Sequence, residues 1–175
     1  MVFFCKMTGS LFILGAAGYF AYNLNRMLEK RNLELRKLYS ILLQLKSEIQ
    51  YMCATLPECF RKLAKYEKEP FGTWLLVMAQ RMEEKEKVSF ADIWREELTH
   101  LYEESALGME DMEPLKELSD KLGSMDITAQ LKAIDYALLH IERNRSLLEE
   151  EMKQKKKVVV TLSLFCGFMT LILLL

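Results

Sequence analysis

Apolar and polar residues divide this chain into three parts. Two stretches without charged residues run from 7 to 24 and from 158 to 175, and the residues between them are rich in Lys, Arg, Asp and Glu. Each stretch would extend about 27 Å as an α-helix at about 1.5 Å per residue, which just covers a bilayer core of about 30 Å. The pattern therefore predicts a transmembrane helix over 7–24, a helical domain over 26–157 and a second transmembrane helix over 158–175.

Within the middle part, apolar residues recur every three or four positions, as on one face of an amphipathic helix. The first such row comprises Leu35, Leu38, Leu42, Leu45, Ile49, Met52 and Leu56. The last row comprises Leu131, Ile134, Leu138, Ile141, Leu148 and Met152, and Arg145 interrupts it. Because no helix breaker lies between Asp126 and the last span, one helix is predicted from Asp126 to Leu175. The first transmembrane helix is likewise expected to continue into the first row.

Shorter helices are predicted between these two rows from their start signals. The segment Thr55–Glu58 has the form of a capping box and Ser89–Asp92 has the S-x-x-D form, so that a helix should begin at each. A turn at Pro70–Gly72 should precede a helix over 73–85. A further helix is predicted over 110–122.

These helices each have one apolar face, and the economical way to bury five or six such faces is a helix bundle. The predicted fold is therefore all-α: a cytosolic antiparallel bundle of about five or six helices on a stalk formed by the first and last helices. N- and C-terminal transmembrane helices would flank it. Short helices with caps favour this compact bundle over a membrane-tethered coiled coil.

Positive charges next to the spans predict which side of the membrane holds the bundle. Behind the first span lie Arg26, Lys30, Arg31, Arg36 and Lys37, and ahead of the last lie Lys153, Lys155, Lys156 and Lys157. Only Lys6 precedes the first span. Because cytoplasmic segments carry an excess of Lys and Arg, residues 26–157 should face the cytoplasm. The first span is expected to be an uncleaved anchor, since it is longer than the usual signal-peptide core of about 7–15 residues.

Candidate chemistry is sparse. The formal net charge of −1 gives no reason to expect nucleic-acid binding. The 4 cysteines are scattered and only 2 histidines occur, so the cysteines are interpreted as mostly buried thiols and no metal site is expected. Trp74 and Trp94 are interpreted as core residues, and His140 as a histidine at the bundle edge. No catalytic, cofactor-binding or metal residues are assigned, and the protein is expected not to be an enzyme.

One segment, Leu122-Gly123-x-x-Asp126-x-x-x-Gln130, is the candidate site. Gly123 can adopt a positive φ at a helix end. Asp126 can accept hydrogen bonds from the orphan N–H groups of the next helix, with Gln130 facing back toward the turn. This pattern predicts a rigid corner between two helices, and the alternative interpretation is a contact with a partner.

Several short motifs follow one another in a recognisable order. They are Glu48-Ile49-x-Tyr51, Leu56-Pro57, Phe60-Arg61-Lys62-Leu63-Ala64, Ser89 to Trp94, and Leu122 to Gln130, before an apolar C-terminus flanked by lysines. In this order and spacing the whole chain resembles the stage III sporulation protein AB family of endospore-forming bacteria. The stretch Ser119-Asp120-Lys121 departs from the family pattern, where a small residue is expected near the helix end.

The resemblance implies a part in the channel complex between the mother cell and the engulfed forespore. The helical domain would be similar to the cytoplasmic domains of inner-membrane platform proteins of type II secretion and type IV pilus machines. The implied function is a non-enzymatic platform or adaptor, without a cofactor, in the cell membrane on the mother-cell side of the forespore. It would couple a cytosolic secretion-type ATPase to membrane components of the channel. Whether the protein also forms a homo-oligomer stays an open question.

Two other functions are carried as alternatives. One is a generic membrane-tethered helical scaffold of the cell envelope, which an elongated dimer would favour. The other is a membrane enzyme or sensor, which a bound cofactor or a perturbed His or Cys titration would favour.

Overall fold

The computed structural model describes residues 2–52, 55–84, 89–123 and 126–174. Over these residues every regular element is a helix. The α-helices are α1 (Val2–Ser47), α2 (Leu56–Ala64), α3 (Phe71–Glu83), α4 (Phe90–Glu104), α5 (Met109–Leu122) and α6 (Ile127–Leu174), and a π-helical segment, Glu48–Met52, follows α1. The predicted all-α class is confirmed, as are the long unbroken first and last helices.

Residue contacts divide the chain into two compact units. One consists of Met1–Lys30 together with Leu147–Leu175, and the other is Arg31–Ser146. The second unit, the bundle unit, contains α2 to α5 with the C-terminal part of α1 and the N-terminal part of α6. Both α1 and α6 therefore contribute residues to the two units.

Within the described part of the chain, no helix has a stretch both long and apolar enough to cross a membrane. Most side chains of the predicted spans, 7–24 and 158–175, lie outside that part. The two transmembrane helices therefore stay predictions from the sequence.

The predicted apolar rows of the first and last helices form the centre of the bundle unit. The buried residues of the predicted rows in this unit are Leu35, Leu38, Leu42, Leu45 and Ile49 in the first, and Ile134, Leu138 and Ile141 in the last. Ile41 and Ala137, which the predicted rows did not include, are buried beside them. Leu56 and Leu131, at the ends of the two rows, are half-buried, and the side chain of Met52 lies outside the described residues. Burial of this kind stabilises the bundle by about 25 cal/mol per Å² of apolar area removed from water.

In the bundle unit, α1 and α6 run in opposite directions. Arg31 of α1 and Asn144 of α6 both bond to Asp111, whereas Lys46, further along α1, pairs with Asp135, earlier in α6. The residue numbers rise along one helix as they fall along the other. The predicted antiparallel arrangement therefore holds within the bundle unit.

An aromatic cluster lies between α2, α3 and α4. The ring of Trp94 packs 5.3 Å from that of Trp74, 5.6 Å from that of Phe90 and 6.1 Å from that of Phe60, measured between ring centroids. Its indole Nε1–H donates a hydrogen bond of 2.7 Å to the buried carbonyl of Leu115. The indole Nε1–H of Trp74 is buried and has no hydrogen-bond partner among the described residues. Both tryptophans are buried, which confirms the prediction that they are core residues.

Both predicted start signals cap helices. The Glu58 carboxylate accepts hydrogen bonds of 2.9 Å from the backbone N–H and from the hydroxyl of Thr55 at the start of α2. Ser89 Oγ accepts a bond of 3.2 Å from the backbone N–H of Asp92 in α4. Each pair satisfies polar groups that a helix start would otherwise leave without a partner.

The turn predicted at Pro70–Gly72 is placed slightly too late, because Glu69 and Pro70 form a turn and α3 already begins at Phe71. The helix starts at Phe71 with Pro70 at its N-cap, a place where proline's fixed φ and missing N–H are tolerated. A Cβ on Gly72 would lie only 2.5 Å from the carbonyl oxygen of Glu67. Glycine is therefore needed here for the close approach of the preceding backbone, not for a turn.

Candidate functional site

The corner predicted from Leu122, Gly123, Asp126 and Gln130 lies between α5 and α6. Leu122 is fully buried at the end of α5 and Gln130 is buried in the first turn of α6, whereas Gly123 and Asp126 are exposed. Asp126 Oδ1 accepts a hydrogen bond of 2.9 Å from the backbone N–H of Thr128, and its carbonyl accepts one of 3.0 Å from that of Gln130. Asp126 therefore caps α6 as predicted, and whether the corner also contacts a partner stays a prediction.

The reason for glycine at position 123 differs from the predicted one. Gly123 has φ −77° and ψ −3°, which any residue adopts, so the predicted positive φ is wrong. A Cβ at this position would lie 3.0 Å from Cδ1 and 3.2 Å from Cβ of Phe90. Glycine lets the end of α5 pack closely on the first residue of α4.

A groove between α5 and α6 opens beside this corner. Its volume is about 560 Å³, and it is lined by Glu117, Leu118, Asp120, Lys121, Ala129, Lys132, Ala133 and Tyr136. Acidic and basic residues occur in equal number on its walls. Tyr136 packs against His140 with ring centroids 4.2 Å apart, and His140 is half-buried at the bundle surface. The residues that line the groove therefore give it no preference for one sign of charge.

A second, smaller groove of about 180 Å³ lies between α4 and α5. Its lining residues are Arg95, Leu98, Thr99, Tyr102, Met109, Met112 and Lys116. No carboxylate is among them. Its floor is apolar and its only charged side chains are basic.

A buried polar cluster of the bundle unit is centred on Asp111, which the sequence did not single out. Asp111 is fully buried. Its carboxylate accepts hydrogen bonds of 2.7 and 3.0 Å from Arg31, 2.8 Å from the backbone N–H of Gly108 and 3.0 Å from Asn144. Because a buried charge is costly unless it is paired and hydrogen-bonded, these donors make the position tolerable. The cluster ties together α1, α5 and α6.

Proline 114 explains one further contact of this cluster. Pro114 lies inside α5 and has no N–H to offer the carbonyl of Glu110, four residues earlier. Asn144 Nδ2 donates a hydrogen bond of 3.0 Å to that carbonyl. The backbone hydrogen bond that α5 lacks at Pro114 is thus replaced by a hydrogen bond from α6.

The Asp111 cluster is built for structure, not for proton transfer. The Asp111 carboxylate raises the pKa of Arg31, so the guanidinium keeps its charge. The backbone N–H of Glu110, and then Arg31, lower the pKa of the neighbouring Glu110 carboxyl. Arg31 and Glu110 therefore stay ionised at neutral pH, whereas a general acid or base needs a pKa near the pH at which it works.

The described cysteine and the possible metal ligands likewise form no reactive site among the described residues. Burial raises the pKa of the Cys59 thiol to about 11, which removes it as a nucleophile at neutral pH. The side chains of Cys5, Cys53 and Cys166 lie outside the described residues. Within the part of the chain that the structure describes, no group of three or more His, Cys, Asp or Glu residues is placed to hold a metal ion.

Sequence reasoning had a local signal for only part of the Asp111 cluster. Asp111 is the third residue of α5, where acidic residues commonly bond back to the N-cap, as Asp111 does to Gly108. Its bonds to Arg31 and Asn144 cross 80 and 33 residues. No local pattern indicates such pairs.

Comparison with known proteins gives one consistent family. The family model described as stage III sporulation protein AB matches residues 6–175. The chain is similar to stage III sporulation protein AB of Bacillus subtilis (strain 168), with 25% identity over 169 residues that cover 97% of this chain and 98% of that protein. It is also similar to a solved structure of stage III sporulation protein AB, with a TM-score of 0.65, 25% identity, and coverage of 71% of this chain and 97% of that one.

Proposed function

Because the chain belongs to the stage III sporulation protein AB family, we propose that it is a non-enzymatic membrane platform or adaptor of the channel complex between mother cell and forespore. It would couple a cytosolic secretion-type ATPase to membrane components of that complex. Its place would be the cell membrane on the mother-cell side of the forespore, with the bundle unit facing the cytoplasm.

The continuity of α1 and α6 is the observation that carries this proposal. Each is a single helix, Val2–Ser47 and Ile127–Leu174, that contains an uncharged terminal stretch of the sequence and a charged amphipathic part in the bundle unit. In each case one continuous helix contains residues of both units. A partner bound to the bundle unit would thereby be linked to the terminal stretches through α1 and α6 themselves.

The Asp111 cluster supports a mechanical role for these helices. Arg31 is the first residue of the bundle unit and Asn144 lies close to its last, Ser146. Both donate to Asp111, so α1 and α6 are held to one buried carboxylate near the points where they leave the unit. This attachment would make the two helices respond together.

The test is an affinity purification of the tagged full-length protein from membranes of sporulating cells, followed by mass spectrometry. Enrichment of the ATPase and channel proteins over an unrelated tagged membrane protein is expected. Enrichment of division or envelope proteins without any channel component would favour the generic envelope scaffold instead. Recovery of the tagged protein in the soluble fraction would remove the membrane part of the proposal.

A further inference from the structure

The groove between α4 and α5 has a buried apolar floor and partly exposed apolar side chains beside it. Leu98 and Met112 form a buried floor, whereas Tyr102 is 42% and Met109 64% exposed. Such large apolar side chains, left partly in water beside a concave floor, are typical of a binding surface. Methionine in particular adapts its shape to different apolar partners.

Apolar and basic residues occupy opposite ends of this groove. On α4, Tyr102 lies seven residues after Arg95, and on α5, Lys116 lies seven residues after Met109. Seven residues are two helical turns, about 10 Å, and return to the same face of a helix. The start of α4 lies against the end of α5, since a Cβ on Gly123 would lie 3.0 Å from the ring of Phe90, and a loop of only four residues joins Glu104 to Met109. The two helices are therefore antiparallel. Tyr102 and Met109 therefore share one end, and Arg95 and Lys116 the other.

The basic end can accept a negatively charged partner. Lys116 is exposed and has no ion pair among the described residues. Arg95 pairs with Asp120 at 2.7 Å and Asp92 at 3.5 Å, but all three side chains are more than half exposed. Exposed pairs of this kind contribute little, so Arg95 can exchange these partners for a carboxylate of a bound chain.

We propose that this groove, the α4–α5 groove, binds an acidic amphipathic helix of a cytosolic partner protein. The bound helix places an apolar side chain between Tyr102 and Met109 and a carboxylate, two turns away, between Arg95 and Lys116. A helix laid in a groove presents side chains at this spacing. The inference rests on the proposed adaptor function and specifies its contact with the cytosolic partner.

The α5–α6 groove does not carry the same inference. Its walls hold two acidic and two basic residues, Glu117 and Asp120 against Lys121 and Lys132, so charge does not select its occupant. It does supply matched controls. Tyr136 is 43% exposed, as against 42% for Tyr102, and Lys132 is exposed, as is Lys116.

The experiment uses the full-length protein in membranes of sporulating cells. The photo-crosslinking residue p-benzoylphenylalanine replaces Thr99, on the α4 wall, or Lys132, on the wall of the control groove. After irradiation, the crosslinked peptide is sequenced by mass spectrometry. If the Thr99 variant does not accumulate, the same residue replaces Tyr102.

The expected crosslink from the α4–α5 groove is to a helical segment that has apolar and acidic residues seven positions apart. Lys116→Glu and Tyr102→Ala should each lower its yield at least about 5-fold, the effect of removing an interface contact of about 1 kcal/mol or more. Lys132→Glu and Tyr136→Ala should leave the yield unchanged. Reversing the partner's acidic residue to Lys should restore crosslinking to the Lys116→Glu variant.

Other results overturn the inference. A crosslink to a second copy of this chain or to a basic segment contradicts it, as does equal sensitivity to the Lys116 and Lys132 substitutions. If Thr99 and Tyr102 give no crosslink while the affinity purification still recovers channel proteins, the groove assignment is wrong and the adaptor function stands. If the purification recovers no channel protein, the adaptor function itself fails.

Discussion

Asp111 is the fully buried centre of a polar cluster that holds α1, α5 and α6 together. Replacing it as Asp111→Asn removes the charge that holds Arg31 and weakens the bonds from Gly108 and Asn144. We expect the free energy of unfolding to fall by about 2–4 kcal/mol, because Arg31 would lose its buried counter-charge. Urea unfolding of the purified protein, followed by the fluorescence of Trp74 and Trp94, measures the change.

The matched control for this change is Glu113→Gln. Glu113 lies on the same helix and is exposed, so its loss of charge should shift the free energy of unfolding by less than about 0.5 kcal/mol. Equal effects of the two substitutions would contradict a central role for Asp111.

Glu58 makes the start of α2 sensitive to pH. The backbone N–H and hydroxyl of Thr55 lower the pKa of Glu58 below its ordinary value of 4.5. The cap therefore stabilises the protein above that value and loses its effect as the pH falls through the lower folded-state pKa. In urea unfolding at neutral pH, the Glu58→Gln variant should have a lower free energy of unfolding than the natural protein. The difference between the two free energies should become smaller in acid. A difference that stays constant down to acid pH would contradict this account.

At the scale of the helices, α6 is joined to α5 by the hydrogen bond from Asn144 to the Glu110 carbonyl, which Pro114 leaves without a backbone donor. Asn144→Ala should lower the free energy of unfolding by about 1–3 kcal/mol, because the Glu110 carbonyl then lacks its donor. In a Pro114→Ala background, the new N–H at position 114 can bond that carbonyl. The same Asn144→Ala change should then cost about 0.5–1.5 kcal/mol less.

A double-mutant cycle in urea measures this coupling directly. Ser146→Ala, on the same helix, is the control for this coupling. Among the residues that the structure describes, the Ser146 hydroxyl donates to the Glu142 carbonyl of its own helix, so this substitution should show no coupling to Pro114→Ala. Additive effects of Asn144→Ala and Pro114→Ala would show that Asn144 does not serve the Glu110 carbonyl.

At the scale of the whole molecule, the oligomeric state and size of the bundle unit distinguish a platform domain from a membrane-tethered coiled coil. A fragment of residues 31–146 should be monomeric, with a radius of gyration of about 13 Å, the value expected for a compact domain of this length. Size-exclusion chromatography with light scattering and small-angle X-ray scattering measure both quantities. An elongated dimer would favour the generic envelope scaffold.

The sequence was sufficient for the features that depend on neighbouring residues. Helical periodicity placed Leu38, Leu42 and Ile134 in the core, and the Glu58 and Ser89 caps were readable because their partners lie three residues away. These features use spacings of three or four residues, which the geometry of the helix fixes in advance. The family resemblance used the order of such motifs.

Features that depend on residues distant in the sequence were not readable. Asp111 looked like one of many surface carboxylates until folding brought Arg31 to it across 80 residues. Gly123 was correctly taken as a helix end but for the wrong reason, since the nearby ring of Phe90 comes from another helix. The α4–α5 groove likewise exists only once two antiparallel helices place Tyr102 beside Met109. Which side chains meet across helices is set by packing, and packing has no period in the sequence.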